Sequence, residues 1–478
     1  MRSIMKKRVP ALLFTLMLGA CEAMKEPQAL HEAERVIAEA KRQQLLNAMV
    51  FIDEKKLKRD ARALDQMSSR AREALPLAGM ALVIKDNIHV AGMPNTAGTP
   101  GLKDFVPQQD AEVVKRLREA GALIVGKSNL HELAYGITSN NHFTGPVQNP
   151  AKAGYFAGGS SGGTAAAVAA GIVGAGLGTD TGGSTRIPAA LTGIVGFRPS
   201  MGRYPNEGMT MISQTRDTAG PMAIDVATVA KLDAVLAGEK QGELQAPLAT
   251  TIRLGVARDY FYQNLEPAVA KGIETALSLL AQSGVELFEL SAAELTGLNH
   301  RVSFPVVLYE TTQLLPAYLQ ANDIAVSAAE LTEAIQSPDV KAVLRDAFAG
   351  AISETQYQEA MRIHRPALQA YYQRLFEEHQ LDALVFPTTG LTARPIKGSE
   401  QTVSATPSGS GPDLPTFPSY IQNTDPASNV GSPAISLPIG RSAQGLPMGL
   451  ELDGPTGSDR KLLAIAARVE DILKELNH

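Results

Sequence analysis

Five short apolar runs constrain this chain most: MALVI at 80–84, ALIVG at 122–126, LGVA at 254–257, LDALVF at 381–386 and AISLPIG at 434–440. None of them alternates apolar with polar residues. A strand with one wet face shows that alternation, whereas a strand covered on both faces does not. Helix-patterned stretches lie between the runs. AEVVKRLREA follows Asp110, placed as an N-cap, and stops at Gly121. VATVAKLDAVLA lies between Asp225 and Gly238, and AVAKGIETALSLLAQ between Pro267 and Gly284. Strands that alternate with helices predict a large layered structure of the α/β class. Residues 300 to 380 read as mostly helical, and PSGSGPDLP at 407–415 as a loop.

The bulk numbers exclude some functions. Of 478 residues, 44% are apolar and 19% charged, as in an ordinary globular protein. The net charge is −5, and beyond the N-terminus Lys and Arg are scattered, so nucleic acid is not an expected partner. The first twenty residues differ from the rest. Arg2, Lys6, Lys7 and Arg8 precede the apolar ALLFTLMLGA, the pattern of a secretory signal over residues 1–20. The run is too short to span a bilayer comfortably. Cys21 follows directly and is the only cysteine, which leaves no disulfide framework. Leu18-Gly19-Ala20-Cys21 resembles the bacterial lipoprotein box, in which the Cys is lipidated. The expectation is an exported chain attached to the cell envelope through Cys21, with residues 21–32 as a tether. Glu22 in place of Asp points towards the outer membrane. His31 to Ala74, rich in Ala, Glu, Lys, Arg and Leu, reads as one or two amphipathic helices.

Two Gly-rich loops carry the serines. GGSSGG at 158–163 precedes the helix formers TAAAVAAG, and GTDTGGS spans 178–184. Thr179-Asp180-Thr181-Gly182-Gly183-Ser184 can aim several backbone N–H groups at one point beside a serine, as stabilising an oxyanion requires. A phosphate loop would need Lys after GGSSGG, and none is there. A nucleophile elbow would need a buried strand before it and a His base, yet none of the eight histidines sits in a recognisable motif. A metal site has no motif either. Lys85, at the end of MALVI, is the other candidate base. A free lysine titrates near roughly 10.4, so serving at neutral pH needs desolvation worth about 4 kcal/mol. On the residues alone, Ser–Lys and Ser–His–Asp activation both stay open.

Lys85 in VIKDNI, Ser160 in GGSSGG and Ser184 in GTDTGGSTRIPAA together resemble the amidase signature family. SNLHELAYGITSNN, TRDTAGPMA, SNVGSPAISLPIG and GLPMGLELDGP extend the likeness from about residue 45 to the C-terminus. Ala157 departs from it, since many members carry Pro there. The resemblance implies an α/β/α sandwich, with a large mixed, twisted sheet between helices. Residues 33–478 would form one domain, with a mostly helical insertion at about 300–380. It implies Ser184 as the acylated nucleophile, Ser160 on a cis peptide as the bridge, and Lys85 as the base. The N–H groups of Thr181, Gly182, Gly183 and Ser184 would form the oxyanion hole. Asp180 and Arg186 would form a buried pair beneath it, and Ser161 would be a loop hydrogen-bonder. Asn129 and Glu132 would be scaffold. No metal and no cofactor is implied. HELAYGITSNN and TRDTAGP are most similar to hydrolases of small monocarboxylic amides, such as indoleacetamide and mandelamide. Peptide C-terminal amidases are second, and a non-catalytic ligand-binding lipoprotein is a third reading. Candidate pocket segments are 138–156, 300–325 and 400–425, with Tyr135, Tyr155, Phe156 and Tyr309 as an aromatic wall.

Overall fold

The computed structural model describes residues 28–239, 251–407, 409 and 411–476. The expected signal, Cys21 and the tether up to residue 27 lie outside the described residues. The strands are, in chain order, β1 (Met49–Ile52), β2 (Ala81–Lys85), β3 (Leu123–Ser128), β4 (Gln148–Asn149) and β5 (Lys152–Phe156). They continue as β6 (Ala175–Asp180), β7 (Val195–Arg198), β8 (Thr218–Ala223), β9 (Arg253–Val256) and β10 (Glu286–Glu289). The last are β11 (Ala383–Pro387), β12 (Thr402–Ser404), β13 (Asp413–Pro415), β14 (Ala434–Arg441) and β15 (Pro447–Asp453). Eleven of them form one sheet in the order β1-β3-β2-β6-β8-β7-β14-β15-β11-β9-β10. The sheet is mixed: β3, β2 and β6 run parallel, as do β11, β9 and β10, and the strands between are antiparallel. The fold is thus α/β, a large mixed sheet flanked by helices.

The absence of alternation has its cause here. Leu82 and Ile84 enter one apolar cluster, while Ala81 and Val83 enter another on the opposite face. Likewise Ala383 and Val385 face the first cluster, and Leu384 and Phe386 a third. On the first face lie helices Glu112–Glu119, Val226–Ala237, Pro267–Gln282 and Asp459–Leu473. On the other lie Gln28–Arg42, Glu54–Asp65 and Gly162–Ala169, then the helices between Leu295 and His379. All five apolar runs are strands. The runs do not reveal β6 and β8, because AGLGTD and TAGPMA are built of small residues. In β6 that smallness is required: a Cβ on Gly176 would come within 2.7 Å of Thr164 Cγ2, and one on Gly178 within 2.7 Å of Ser161 Oγ.

Two local expectations are corrected. Residues 28–32 are helix, not tether: Gln28–Arg42 buries Ala29, Ala33, Val36, Ile37 and Ala40, and its first N–H groups at Ala29 and Leu30 donate to Asp65. Asp110 is not a helix cap. The helix starts at Glu112 with Ala111 at its N-cap, and the Asp110 carboxylate instead accepts from Ala91 N–H and Arg118 Nε. Asp225 does cap its helix, accepting from Thr228 N–H at 2.7 Å, and Gly238 ends it in the left-handed region.

Candidate active site

Lys85 is the last residue of β2 and is fully buried. Its Nζ donates to Ser160 Oγ and to Thr179 Oγ1, both at 2.7 Å. Burial pushes its ammonium down to about 7, against the pull of the Asp180 and Asp217 carboxylates. Ser160 opens the helix Gly162–Ala169, and the Gly159–Ser160 peptide is cis. Its carbonyl accepts from His131 N–H at 3.1 Å. Ser161 ties the two serine loops together: its N–H donates to Ser184 O at 3.1 Å, and its hydroxyl donates to Thr179 O at 3.1 Å. Exposure grows along the series, from 0% at Lys85 and Ser160 to 7% at Ser184. The structure therefore brings Lys85, Ser160, Ser161 and Ser184 together, with Ser184 nearest solvent. No hydrogen bond joins a histidine side chain to Ser160 or Ser184 among the described residues. His131 is occupied with Asp339, at 3.1 Å, and His89 with Tyr318, at 2.8 Å. Nor do the described residues contain a cluster suited to a metal ion.

The stretch from Asp180 to Ser184 leaves the end of β6, and each of its carbonyls is held by a hydrogen bond. Arg198 donates to Asp180 O at 2.7 Å and Arg216 Nε to Thr181 O at 3.1 Å. Thr424 Oγ1 donates to Gly182 O at 2.6 Å, and Ile187 N–H to Gly183 O at 2.7 Å. A trans peptide unit is planar, so a fixed C=O fixes the opposite direction of the next N–H. Four consecutive N–H groups, of Thr181, Gly182, Gly183 and Ser184, are aimed this way. One is already used: Gly183 N–H donates to Asp180 Oδ1 at 2.9 Å. Of the four N–H groups expected to face an oxyanion, that of Gly183 is therefore engaged with Asp180.

Beneath the stretch lies more than a pair. Asp180 accepts from Arg186 Nη2 and Arg198 Nη1, each at 2.9 Å, and from the Thr185 hydroxyl and N–H. Burial alone would raise its carboxyl, but the two guanidinium groups outweigh burial and hold it well below the usual carboxylate range. Arg186 reaches on to Glu451 at 2.5 Å, Thr424 O at 2.9 Å and Ser428 at 2.8 Å. It thereby ties β6 to β15 and to the helix Asp425–Val430. Glu132 accepts from Thr99 and from the N–H groups of Gln336 and Ser337, and Asn129 bridges Asn47 O, Gly145 O and Thr144. Both residues hold loops together.

Sequence reading missed Thr179, Arg198, Arg216, Asp217 and Thr424. Arg216 and Asp217 lie in TRDTAGPMA, so the motif was visible but not the contacts. Asp217 is buried; burial raises its carboxyl to about 6, against hydrogen bonds from Thr181, Ile212 N–H and Ser213 N–H. The four aromatic residues expected to wall a pocket lie in different surroundings. Tyr135 is half-buried and bonded to Thr311, Phe156 is buried edge-on against Tyr420, Tyr155 lies beneath Lys152, and Tyr309 stacks on Tyr357. The aromatic pair near the Gly182 stretch is Phe304 and Phe417, with centroids 6.1 Å apart. Phe304 follows Ser303, whose carbonyl receives Arg216 Nη1, and is 46% exposed. Phe417 packs in one cluster with Ile421, whose Cδ1 lies 2.8 Å from where a Cβ on Gly182 would stand.

Residues 33–463 match the family model described as Amidase. The mandelamide hydrolase of Pseudomonas putida is 42% identical over 444 residues, covering 90% of this chain and 85% of that protein. The indoleacetamide hydrolase of Agrobacterium vitis is 41% identical over 447 residues, covering 93% and 94%. Among solved structures, one described as a crystal structure of amidase superposes with a TM-score of 0.82 at 35% identity, covering 93% of this chain and 96% of that one. A native peptide amidase from Stenotrophomonas maltophilia superposes with a TM-score of 0.77 at 26% identity, covering 93% and 94%.

Proposed function

From the premise that this chain belongs to the amidase signature family and is a hydrolase of carboxamides, we propose that it cleaves a small aryl-bearing primary amide through an acyl-enzyme on Ser184. The observation that carries the mechanism is the fully buried Lys85, pushed down to about 7 and 2.7 Å from Ser160. Ser184 Oγ attacks the carbonyl carbon; its proton passes to Ser160 as the Ser160 proton passes to neutral Lys85. The carbonyl oxygen becomes an oxyanion facing the N–H groups of Thr181, Gly182 and Ser184. The C–N bond breaks, and the proton held by Lys85 returns through Ser160 to the leaving nitrogen, which departs as ammonia. Water then adds to the acyl carbon and gives its proton to the same relay. The C–Oγ bond breaks, Ser184 recovers its proton, and the carboxylic acid leaves. Amide and water have become acid and ammonia, and no cofactor enters the balance. The aryl preference rests on the relatives' named substrates and on the Phe304–Phe417 pair.

The test is ammonia release by residues 22–478 from indoleacetamide, mandelamide, benzamide and an amidated dipeptide. Ser184→Ala is expected to abolish it, Lys85→Ala nearly so, and Ser160→Ala to impair it severely. Mutagenesis of comparable catalytic groups costs about 10²–10⁴ or more in rate. A Lys85→Ala enzyme of near-normal rate at neutral pH would remove the triad. A dipeptide amide ranked first would favour the peptide-amidase reading. A well-folded protein that cleaves none of them would favour a binding scaffold.

We further propose that the chain is exported and attached through a lipid on Cys21. This rests on the charged and apolar leader and on the sole cysteine at the position the lipoprotein box requires. Cys21→Ser is expected to move the protein from the membrane to the soluble fraction. Unchanged fractionation would refute the anchor.

A further inference from the structure

We propose that Arg216 is a positioning residue of the oxyanion site: it holds the Thr181 carbonyl, and so the aim of the Gly182 N–H, against the helical segment that follows Leu295. The inference rests on the amide-hydrolase reading of Ser184. Arg216 is 2% exposed and meets a fixed acceptor on each of its three nitrogens. Nε donates to Thr181 O at 3.1 Å. Nη1 donates to Ser303 O at 3.1 Å, at the start of helix Ser303–Ala321. Nη2 is paired with Asp425 Oδ1. Asp425 in turn is pinned through its second oxygen, which accepts from Asn299 at 2.7 Å and Asn429 at 3.0 Å. Asn429 also donates to Asn299 Oδ1 at 2.7 Å. The guanidinium is planar, and its donors sit in a fixed fork. Holding two edges of that fork therefore fixes where Nε points.

What Nε holds is one end of a rigid unit. The Thr181 carbonyl and the Gly182 N–H belong to the same planar peptide. Gly182 has no side chain to anchor that peptide. The carbonyls of Asp180, Gly182, Gly183 and Ser184 are held by Arg198 from β7, by the Thr424 hydroxyl, and by the backbone N–H groups of Ile187 and Ser161. Arg216 is the one that links the stretch to Ser303 and Asn299, beside the exposed ring of Phe304. A charge-bearing donor in this place serves direction: the substrate meets the N–H, and the guanidinium stays behind the strand.

The consequence is specific to the transition state. Deleting one oxyanion donor costs roughly 10²–10³ in kcat, so a donor kept but misaimed should cost about 10- to 100-fold. The ground-state amide, with less charge on its oxygen, should bind almost as before.

The experiment compares the wild type with Arg216→Gln, Arg216→Lys and Asp425→Asn. The rate is taken per Ser184 titrated by a sulfonyl fluoride, so that unfolded protein is not counted. Affinities are measured for phenylacetaldehyde, which forms a hemiacetal on Ser184, and for phenylacetate, which forms no tetrahedral adduct. Arg216→Gln is expected to lose about 10- to 100-fold in kcat with KM within about twofold, and to lose aldehyde affinity in step while keeping phenylacetate. Arg216→Lys should recover part of the rate. Asp425→Asn, which keeps the shape of the network, should show the same selectivity at smaller size and decides the matter if Arg216→Gln does not fold. A kcat per titrated site within about twofold of wild type, or equal losses for aldehyde and phenylacetate, overturns the inference and leaves the reaction standing. A wild type that neither cleaves an amide nor binds the aldehyde overturns both.

Discussion

A lysine serves as a proton acceptor near neutrality only where its surroundings withhold compensation for its charge. Lys85 has two hydroxyl partners and no carboxylate in contact; Asp180 and Asp217 act on it from a distance. Burial wins, and the ammonium falls to about 7. In the proposed mechanism the neutral amine is the working form, so kcat/KM should rise with pH through an apparent pKa of about 7 and then level. Asp217 supplies negative charge that favours the ammonium. Asp217→Asn removes it, so the rising limb should move to lower pH. A pH–rate profile in which the limb stays put or moves up would show that Asp217 does not bear on Lys85. At this scale the sequence was partly legible. Lys85, Ser160 and Ser184 stand out because glycine crowds the serines and the lysine ends an apolar run. Arg198 and Thr424 do not stand out, because their role is a contact: Thr424 reaches Gly182 across 242 positions of chain. The bond from Gly183 to Asp180 was equally hidden, since nothing in TDTGGS says which N–H turns back.

Strand β6 and the helix Gly162–Ala169 show how an element can be tuned to a single distance. The helix presents Thr164, Ala165, Ala166 and Ala167, all buried, and β6 meets it with glycines. That close approach sets Ser161, at the helix N-cap, against Thr179 near the end of the strand. Gly176→Ala would push a methyl to within 2.7 Å of Thr164 Cγ2 and of Val83 Cγ1. Overpacking of this kind costs about 1–3 kcal/mol. Gly174→Ala, with nothing within 4 Å, should change stability by less than about 0.5 kcal/mol. Chemical denaturation of the two variants checks the contrast, and equal midpoints would refute the spacing argument. The pattern methods that read β2, β3 and β14 from their bulk could not read β6, whose small residues record its neighbour's closeness instead of its own burial.

The sheet closes across its middle with the end of the chain. β14 pairs with β7 on one side and β15 on the other, and β15 pairs with β11. These two strands alone join the six strands drawn from residues 49–223 to the three drawn from residues 253–387. Buried Ile435, Leu437, Leu450 and Leu452 add about 6–12 kcal/mol at 1.5–3 kcal/mol each. A whole domain is stable by only about 5–15 kcal/mol. A chain ended at Gly431 should therefore lose its cooperative thermal transition; a truncated protein that still melted cooperatively would overturn this account. Local pattern revealed β14, but its place at the centre of the sheet is a long-range pairing that no window of sequence contains.

The stretch Asp180–Ser184 is gripped at its carbonyls by Arg198, Arg216, Thr424 and the backbone of Ile187. The rings of Phe304 and Phe417 take no part in those hydrogen bonds, although Phe304 follows Ser303, whose carbonyl receives Arg216. Such a division of labour makes the two parts separately replaceable. On the proposed reading, the aromatic rim can be exchanged to admit a different acid while the machinery that breaks the amide stays in register, so one catalytic chassis can serve many amides.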